Sequence, residues 1–217
     1  CLAVLVSWPE ACVDAVVTDP PYGLHFMGAK WDSFGSGVGR DHKKTRERSG
    51  SMPAGEYDSR RNAEYGRFIQ AVGREMFRVL KPGAHLLMFG APRRHHWQGV
   101  ALELAGFEVR DMLCWLFGEG FPKSLNLHGA WEGWGTALKP GWEPIIVARK
   151  PLQGTTAENA RMYGTGALNV MECRLGMSGG TAGAGAGARV FNSSLNGLYG
   201  KPIHGLGRWP ANVALDE

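Results

Sequence analysis

The chain has 217 residues, 44% hydrophobic and 20% charged, with a formal charge of +4; this suits one buried core with an appended lobe and excludes a charge-dominated disordered chain. No apolar stretch reaches the ~20 residues needed to cross a bilayer, and the first residues lack the charged-then-apolar order of a secretory signal, so a cytoplasmic protein with no membrane partner is expected. Cys1, Cys12, Cys114 and Cys173 are scattered without a C-x-x-C pair or a ligand-spaced His, which argues against a zinc site or a disulfide framework.

Leu2 to Val6, with Pro9 and Glu10 behind it, reads as a short helix and turn. The unbroken apolar run Ala15 to Thr18 predicts a strand covered on both faces, and Asp19-Pro20-Pro21-Tyr22 closes it. From Gly35 to Arg61 glycine, serine and charge dominate with no apolar period, which predicts a long loop. Tyr65, Phe68, Ile69, Val72, Met76, Phe77 and Leu80 recur at helical spacing, and Lys81-Pro82-Gly83 stops that helix. Ala84 to Phe89 reads as a strand. Pro92 opens a second helix that runs to about Ala105 and ends at Gly106, and Phe107 to Phe117 alternates as a further strand.

Alternating strands and helices imply an α/β fold, a parallel sheet flanked by helices, with ligands at the C-terminal strand ends where Asp19 and Gly90 would lie. Trp142 to Arg149 adds a strand expected to be antiparallel and at an edge. Beyond Pro151 the pattern dissolves into Gly, Ala, Ser and Asn, and no helix or strand is predicted there. Glycine is the compositional outlier, at 32 residues of 217 against a usual ~7%, and it is concentrated in this last third.

The tetrad carries the chemistry. A carboxylate, two rigid backbone units and an aromatic face suit an exocyclic amine on a nucleobase, whose lone pair is delocalised into the ring. If the Asp19 carboxylate and the Pro20 carbonyl each accept one N–H, the nitrogen is drawn toward tetrahedral geometry and can attack a methyl group in line. Pro20 and Pro21 fix φ and withhold N–H donors, and the Tyr22 ring can stack on a base swung out of a duplex. Two glycine runs are decoys: Phe34-Gly35-Ser36-Gly37 has no strand before it, and Gly183, Gly185 and Gly187 alternate with alanine as a linker does.

Arg40, Lys43, Lys44, Arg46 and Arg48 face only Asp41 and Glu47; they read either as a solvated loop or as a segment tracking phosphates. Trp31, Trp131, Trp134 and Trp142 could stack on bases, but core packing is the default expectation for each. Arg93-Arg94-His95-His96 reads as an exposed face at the start of the second helix, and no metal role is expected of it.

Several segments together resemble the S-adenosylmethionine-dependent DNA amino-methyltransferases, in the permuted group whose tetrad precedes the cofactor's glycine motif. They are Val13-Asp14-Ala15-Val16-Val17-Thr18 leading into Asp19-Pro20-Pro21-Tyr22-Gly23, Phe26-Met27-Gly28, Lys30-Trp31-Asp32, Leu80-Lys81-Pro82-Gly83, and Glu143-Pro144-Ile145-Ile146-Val147-Ala148-Arg149-Lys150-Pro151. Thr165-Gly166-Ala167-Leu168-Asn169 and Gly207-Arg208-Trp209-Pro210-Ala211-Asn212 are similar to parts of the family's target-recognition region.

The resemblance implies a Rossmann-like methyltransferase sheet over residues 1–151 with a small, irregular, glycine-rich recognition lobe over 152–217. It implies methyl transfer from S-adenosylmethionine to double-stranded DNA. Asp19, Pro20, Pro21 and Tyr22 would be catalytic; Cys1, Leu2, Asp19 and Pro20 would touch the cofactor; and Lys30, Trp31, Arg40, Lys43, Lys44, Arg46 and Arg48 would touch DNA. Asp at the head of the tetrad favours adenine N6, with cytosine N4 and a non-catalytic DNA-binding relative as alternatives, and methylation of RNA or protein glutamine as a third. The family's Gly-Asp pair and its Asp-Pro-Phe-x-Gly-Ser-Gly segment are both missing, so a partial catalytic sheet that by itself binds the cofactor weakly or not at all is expected.

Overall fold

A computed structural model of the chain describes residues 2–24, 30–32, 34, 59–118, 120, 124–174 and 210–215. The described elements are α1 (Leu2–Val6), β1 (Val13–Thr18), α2 (Ser59–Val79), β2 (Leu80–Phe89), α3 (His95–Leu104), β3 (Glu108–Leu116), β4 (Trp142–Arg149), α4 (Thr156–Tyr163) and β5 (Val213–Leu215), with short 3-10 turns at Lys30–Asp32 and Gly129–Trp131. The chain divides into two compact units, Cys1–Ala167 with Asn212–Glu217, and Leu168–Ala211.

The sheet order is β1-β2-β4-β3-β5. β1 pairs parallel with β2, β5 pairs parallel with β3, and β4 is antiparallel to both of its neighbours. β1, β2, β3 and β5 therefore point one way, and β4 alone points back. The fold is α/β as expected, but the sheet is mixed, and β4 lies inside it where an edge strand was expected. Its sequence explains this: Pro144, Ile145, Ile146, Val147 and Ala148 are buried in an unbroken run, the pattern of a strand covered on both faces. β1 shows the opposite departure. It stands at one end of the sheet, with Ala15 exposed and Val17 at 68% exposure, so its apolar run is covered on one face only.

α2 lays Tyr65, Ile69, Val72 and Met76 on the sheet at spacings of four, three and four, and they join Leu86, Met88, Leu102, Phe107, Ile146 and Ala148 in the core. Burying a side chain of this size stabilises by roughly 1.5–3 kcal/mol, so this face outweighs the weak intrinsic preferences of the helix. The helix ends at Val79, before Lys81-Pro82-Gly83, and the strand begins directly at Leu80. The three residues form an irregularity in the ladder, between the pairs Val13↔Leu80 and Ala15↔His85. The second helix starts at His95, not at Pro92, because Ala91 to Arg94 close a turn in which Ala91 O accepts from Arg94 N at 2.8 Å and His95 N at 3.0 Å.

Residues beyond Pro151 also form regular structure, contrary to expectation. Thr155 and Glu158 make a reciprocal capping box at the start of α4, and Gly164 ends it in the left-handed region at φ +74. Asn159, fully buried, donates Nδ2 to Pro82 O at 3.0 Å and Thr165 O at 2.9 Å, and its Oδ1 accepts from Gln153 N at 2.9 Å. These bonds fasten α4 to the start of β2, and a Cβ at Gly83 would lie 2.3 Å from Asn159 Nδ2. The site-bearing end of the sheet is the other one.

Candidate active site

Thr18 is in register with Met88, and Phe89 with Ile145, so Asp19, Gly90 and the start of β4 emerge together where the parallel strands end. Gly90 admits no side chain: a Cβ would come within 1.9 Å of the buried Gln98 Oε1. Asp19 is exposed at the end of β1, and Pro20, Pro21 and Tyr22 are half-buried. The tetrad is therefore accessible.

Tyr22 Oη donates to Glu143 Oε2 at 3.5 Å, the outer limit of a hydrogen bond. The Asp19 carboxylate also acts on the phenol. Burial raises the Tyr22 pKa, and hydrogen bonding to Asp19 and the negative charges of Glu143 and Asp19 raise it further, so the phenol remains a donor throughout the neutral range. Burial also raises Glu143 above the ordinary range, the charge of Asp19 adds to the shift, and the Tyr22 hydrogen bond offsets part of it. Glu143 stood in the sequence only as part of a strand. Its position as the second residue of β4, directly before a buried run, was the signal that could have marked it.

The chain after the tetrad is held from both sides. Gly23 N donates to Asp32 Oδ1 at 2.6 Å, and Gly23 O accepts from Arg94 Nη2 at 3.0 Å. Asp32 is 0% exposed and Arg94 4%. Arg94 also bonds Asn62 Oδ1 and lies 5.7 Å from the centroid of the Tyr65 ring. Gly23 itself adopts φ +67, and a Cβ there would approach Tyr65 Cδ2 at 3.0 Å and Phe34 Cδ2 at 3.2 Å. The expected exposed face at Arg93 to His96 is thus corrected at Arg94: the turn before α3 directs this guanidinium inward to the backbone that follows Tyr22.

Of the remaining expected site residues, Leu2 is not brought together with the tetrad. Leu2 lies on α1, which packs against α2; Arg78 near the end of α2 donates to Leu5 O at 2.7 Å and Trp8 O at 2.9 Å. That is the end of the sheet where β1 begins. Trp31, 63% exposed, adjoins Asp32 in the 3-10 turn. The side chain of Lys30, and all of Cys1, Arg40, Lys43, Lys44, Arg46 and Arg48, lie outside the described residues. Core packing, expected for the tryptophans, does not hold for Trp31, Trp131 or Trp134, which are 63%, 56% and 61% exposed.

A family model described as DNA methylase, of the N6/N4 methyltransferase type, matches residues 13–164, from β1 to the end of α4. The chain belongs to the DNA methylase family. It is 28% identical over 183 residues to the type II methyltransferase M.HindIII of Haemophilus influenzae, covering 72% of this chain and 59% of that protein. Among solved structures it is similar to TTHA0409 from Thermus thermophilus complexed with S-adenosyl-L-methionine, at 24% identity and a TM-score of 0.41, covering 74% of this chain and 55% of that one. It is also similar to the cytosine-N4-specific PvuII DNA methyltransferase, at 12% identity and a TM-score of 0.46, covering 72% and 50%. The chain spans little more than half the length of the relatives it matches. Within this methylase family match fall the tetrad, both residues that hold Gly23, and Glu143, so the clustered residues form one candidate site.

Proposed function

We propose that this chain carries the target-base site of a methyltransferase that moves a methyl group from S-adenosylmethionine to adenine N6 in double-stranded DNA. The observation that carries the reading is the exposed Asp19 carboxylate at the end of β1, beside a Tyr22 phenol shared with Glu143. Asp19 and the Pro20 carbonyl accept the two N–H bonds of the amine, and Tyr22 supplies the face on which the extruded base stacks. Asp32 and Arg94 keep the backbone after Tyr22 from shifting, so the acceptors need no reorganisation when the base arrives.

The chemistry of these groups suits the cofactor. S-adenosylmethionine supplies an electrophilic methyl on a positively charged sulfur, and two carboxylates at one end of the sheet favour a cation. Asp19 and Pro20 would hold it on this chain. Once the nitrogen has attacked, its excess proton is acidic and leaves to Asp19 or to solvent.

Asp at the head of the tetrad supports adenine over cytosine. The likeness of 165–169 and 207–212 to the family's target-recognition region supports assigning target recognition to the segment beyond Pro151, with the catalytic part before it. Lys30, Trp31 and the basic run from Arg40 to Arg48 are assigned to the DNA backbone. The test is to express the complete open reading frame in a host lacking methylases and sequence its DNA with modification-sensitive chemistry. N6-methyladenine at a fixed motif is expected; N4-methylcytosine would overturn the target base, and unmodified DNA would overturn the activity.

A further inference from the structure

Glu143 is built into the sheet, whereas Tyr22 lies in the chain that follows β1. Glu143 is the second residue of β4 and stands directly across from Trp115 in the β3–β4 ladder. The next residue, Pro144, accepts from Gly90 N at 2.9 Å, which ties the start of β4 to the end of β2. Residues opposite one another project from the same face of a sheet, and there the Trp115 ring meets Phe89 edge to face, with centroids 5.5 Å apart and planes at 77°. The half-buried Glu143 carboxylate thus stands on a braced strand end and accepts from Tyr22 Oη at 3.5 Å.

Asp19 competes for the same phenol. Its carboxylate acts on Tyr22 and on Glu143, so the three groups lie within reach of one another. A phenol has one proton to donate. Any share of it that Asp19 takes falls on the oxygens that the target amine needs, and an oxygen already engaged by one donor is a weaker acceptor for the next.

Resting on the reading that Asp19 holds the target amine, we infer that Glu143 is a positioning residue that draws the Tyr22 hydroxyl away from Asp19 and so leaves the Asp19 oxygens free for the amine. Its effect belongs in kcat, because the amine leans on Asp19 most as its nitrogen turns tetrahedral in the transition state.

The experiment follows methyl incorporation from labelled S-adenosylmethionine into DNA of a methylase-deficient host by the product of the complete open reading frame. kcat and KM for DNA are separated, and each variant is checked for folding by circular dichroism. Glu143→Ala should lower kcat about 10-fold, the equivalent of ~1.4 kcal/mol, and change KM for DNA by less than about 2-fold. Glu143→Met keeps the stem without an acceptor oxygen; it should do the same, and it serves if the shorter side chain does not fold. Glu143→Gln keeps an acceptor for the phenol and should stay within about 3-fold of wild type. Removing the hydroxyl as well should relieve the defect, so adding Tyr22→Phe to the Ala or the Met variant is expected to raise its kcat about 5-fold. Undiminished kcat in the Ala and Met variants, a Gln variant as slow as they are, or no gain on adding Tyr22→Phe would overturn the role of Glu143 and leave the methyltransferase reading standing. A wild-type protein that incorporates no methyl group would overturn that reading and this role with it.

Discussion

Replacing Asp32 by alanine tests how the tetrad is held. The carboxylate is 0% exposed and accepts the Gly23 N–H at 2.6 Å, while Arg94 holds the carbonyl of the same residue at 3.0 Å. A hydrogen bond to a charged group contributes about 1.5–3 kcal/mol, and its loss leaves the Gly23 donor without this acceptor. For a chain of this size about 2 kcal/mol corresponds to a fall of roughly 4–8 °C in Tm, read by thermal unfolding followed by circular dichroism. Asp32→Asn keeps an acceptor oxygen without the charge and should fall by about half as much.

Activity should respond more steeply than stability, because a shift of about 1 Å in a positioning group costs ~10²-fold in rate. Methyl transfer by the complete open reading frame carrying Asp32→Ala is therefore expected to drop by about that factor at a temperature where the variant is folded. An Asp32→Ala chain that melts with the wild type would show that the Gly23 contact stabilises nothing. A destabilised variant with full methyl transfer per folded molecule would show that the contact does not place Tyr22.

Glu143→Gln should alter a pH profile. The folded-state pKa of Glu143 is raised above 4.5 by burial and by Asp19, so its stabilising contribution is present below the unfolded value and lost as pH rises through the folded one. Wild-type Tm should fall relative to the Gln variant as pH climbs from 4.5; parallel curves would contradict the shift. Asn159→Ala removes four hydrogen bonds of a fully buried amide and should cost about 3 kcal/mol, seen as a lower urea midpoint, and an unchanged midpoint would deny that α4 is fastened there. Neutralising Arg40, Lys43, Lys44, Arg46 and Arg48 should flatten the salt dependence of DNA binding, each lost phosphate contact reducing the logarithmic slope by about 0.9; an unaltered slope would remove the segment from the interface.

Much of the sheet was legible because helical and strand periods are properties of short windows: α2, β2, α3, β3 and β4 all lie where apolar spacing puts them. Strand order is not local. The interior place of β4 and the end position of β1 depend on which strands pair, and both had apolar runs that fit a covered strand equally well. α4 was missed although Thr155, Glu158 and Gly164 mark its two ends, because the surrounding Gly and Thr masked a helix of only two turns.

The tetrad stood out as a candidate by its residue types alone, whereas the side chains that contact it did not. Asp32, Arg94 and Glu143 come from a turn, a second turn and an interior strand, brought to Tyr22 and Gly23 only by the fold. Arg94 in particular was indistinguishable in sequence from its neighbours Arg93 and His95, and its burial follows from α3 beginning one residue later.

Asp19→Ala in the complete open reading frame gives the decisive reading, with methyl incorporation and DNA affinity measured on the same preparation. Methyl transfer should vanish while affinity for the duplex stays within a few fold of wild type. Incorporation at the wild-type rate would mean that the carboxylate at the end of β1 does not hold the reacting amine.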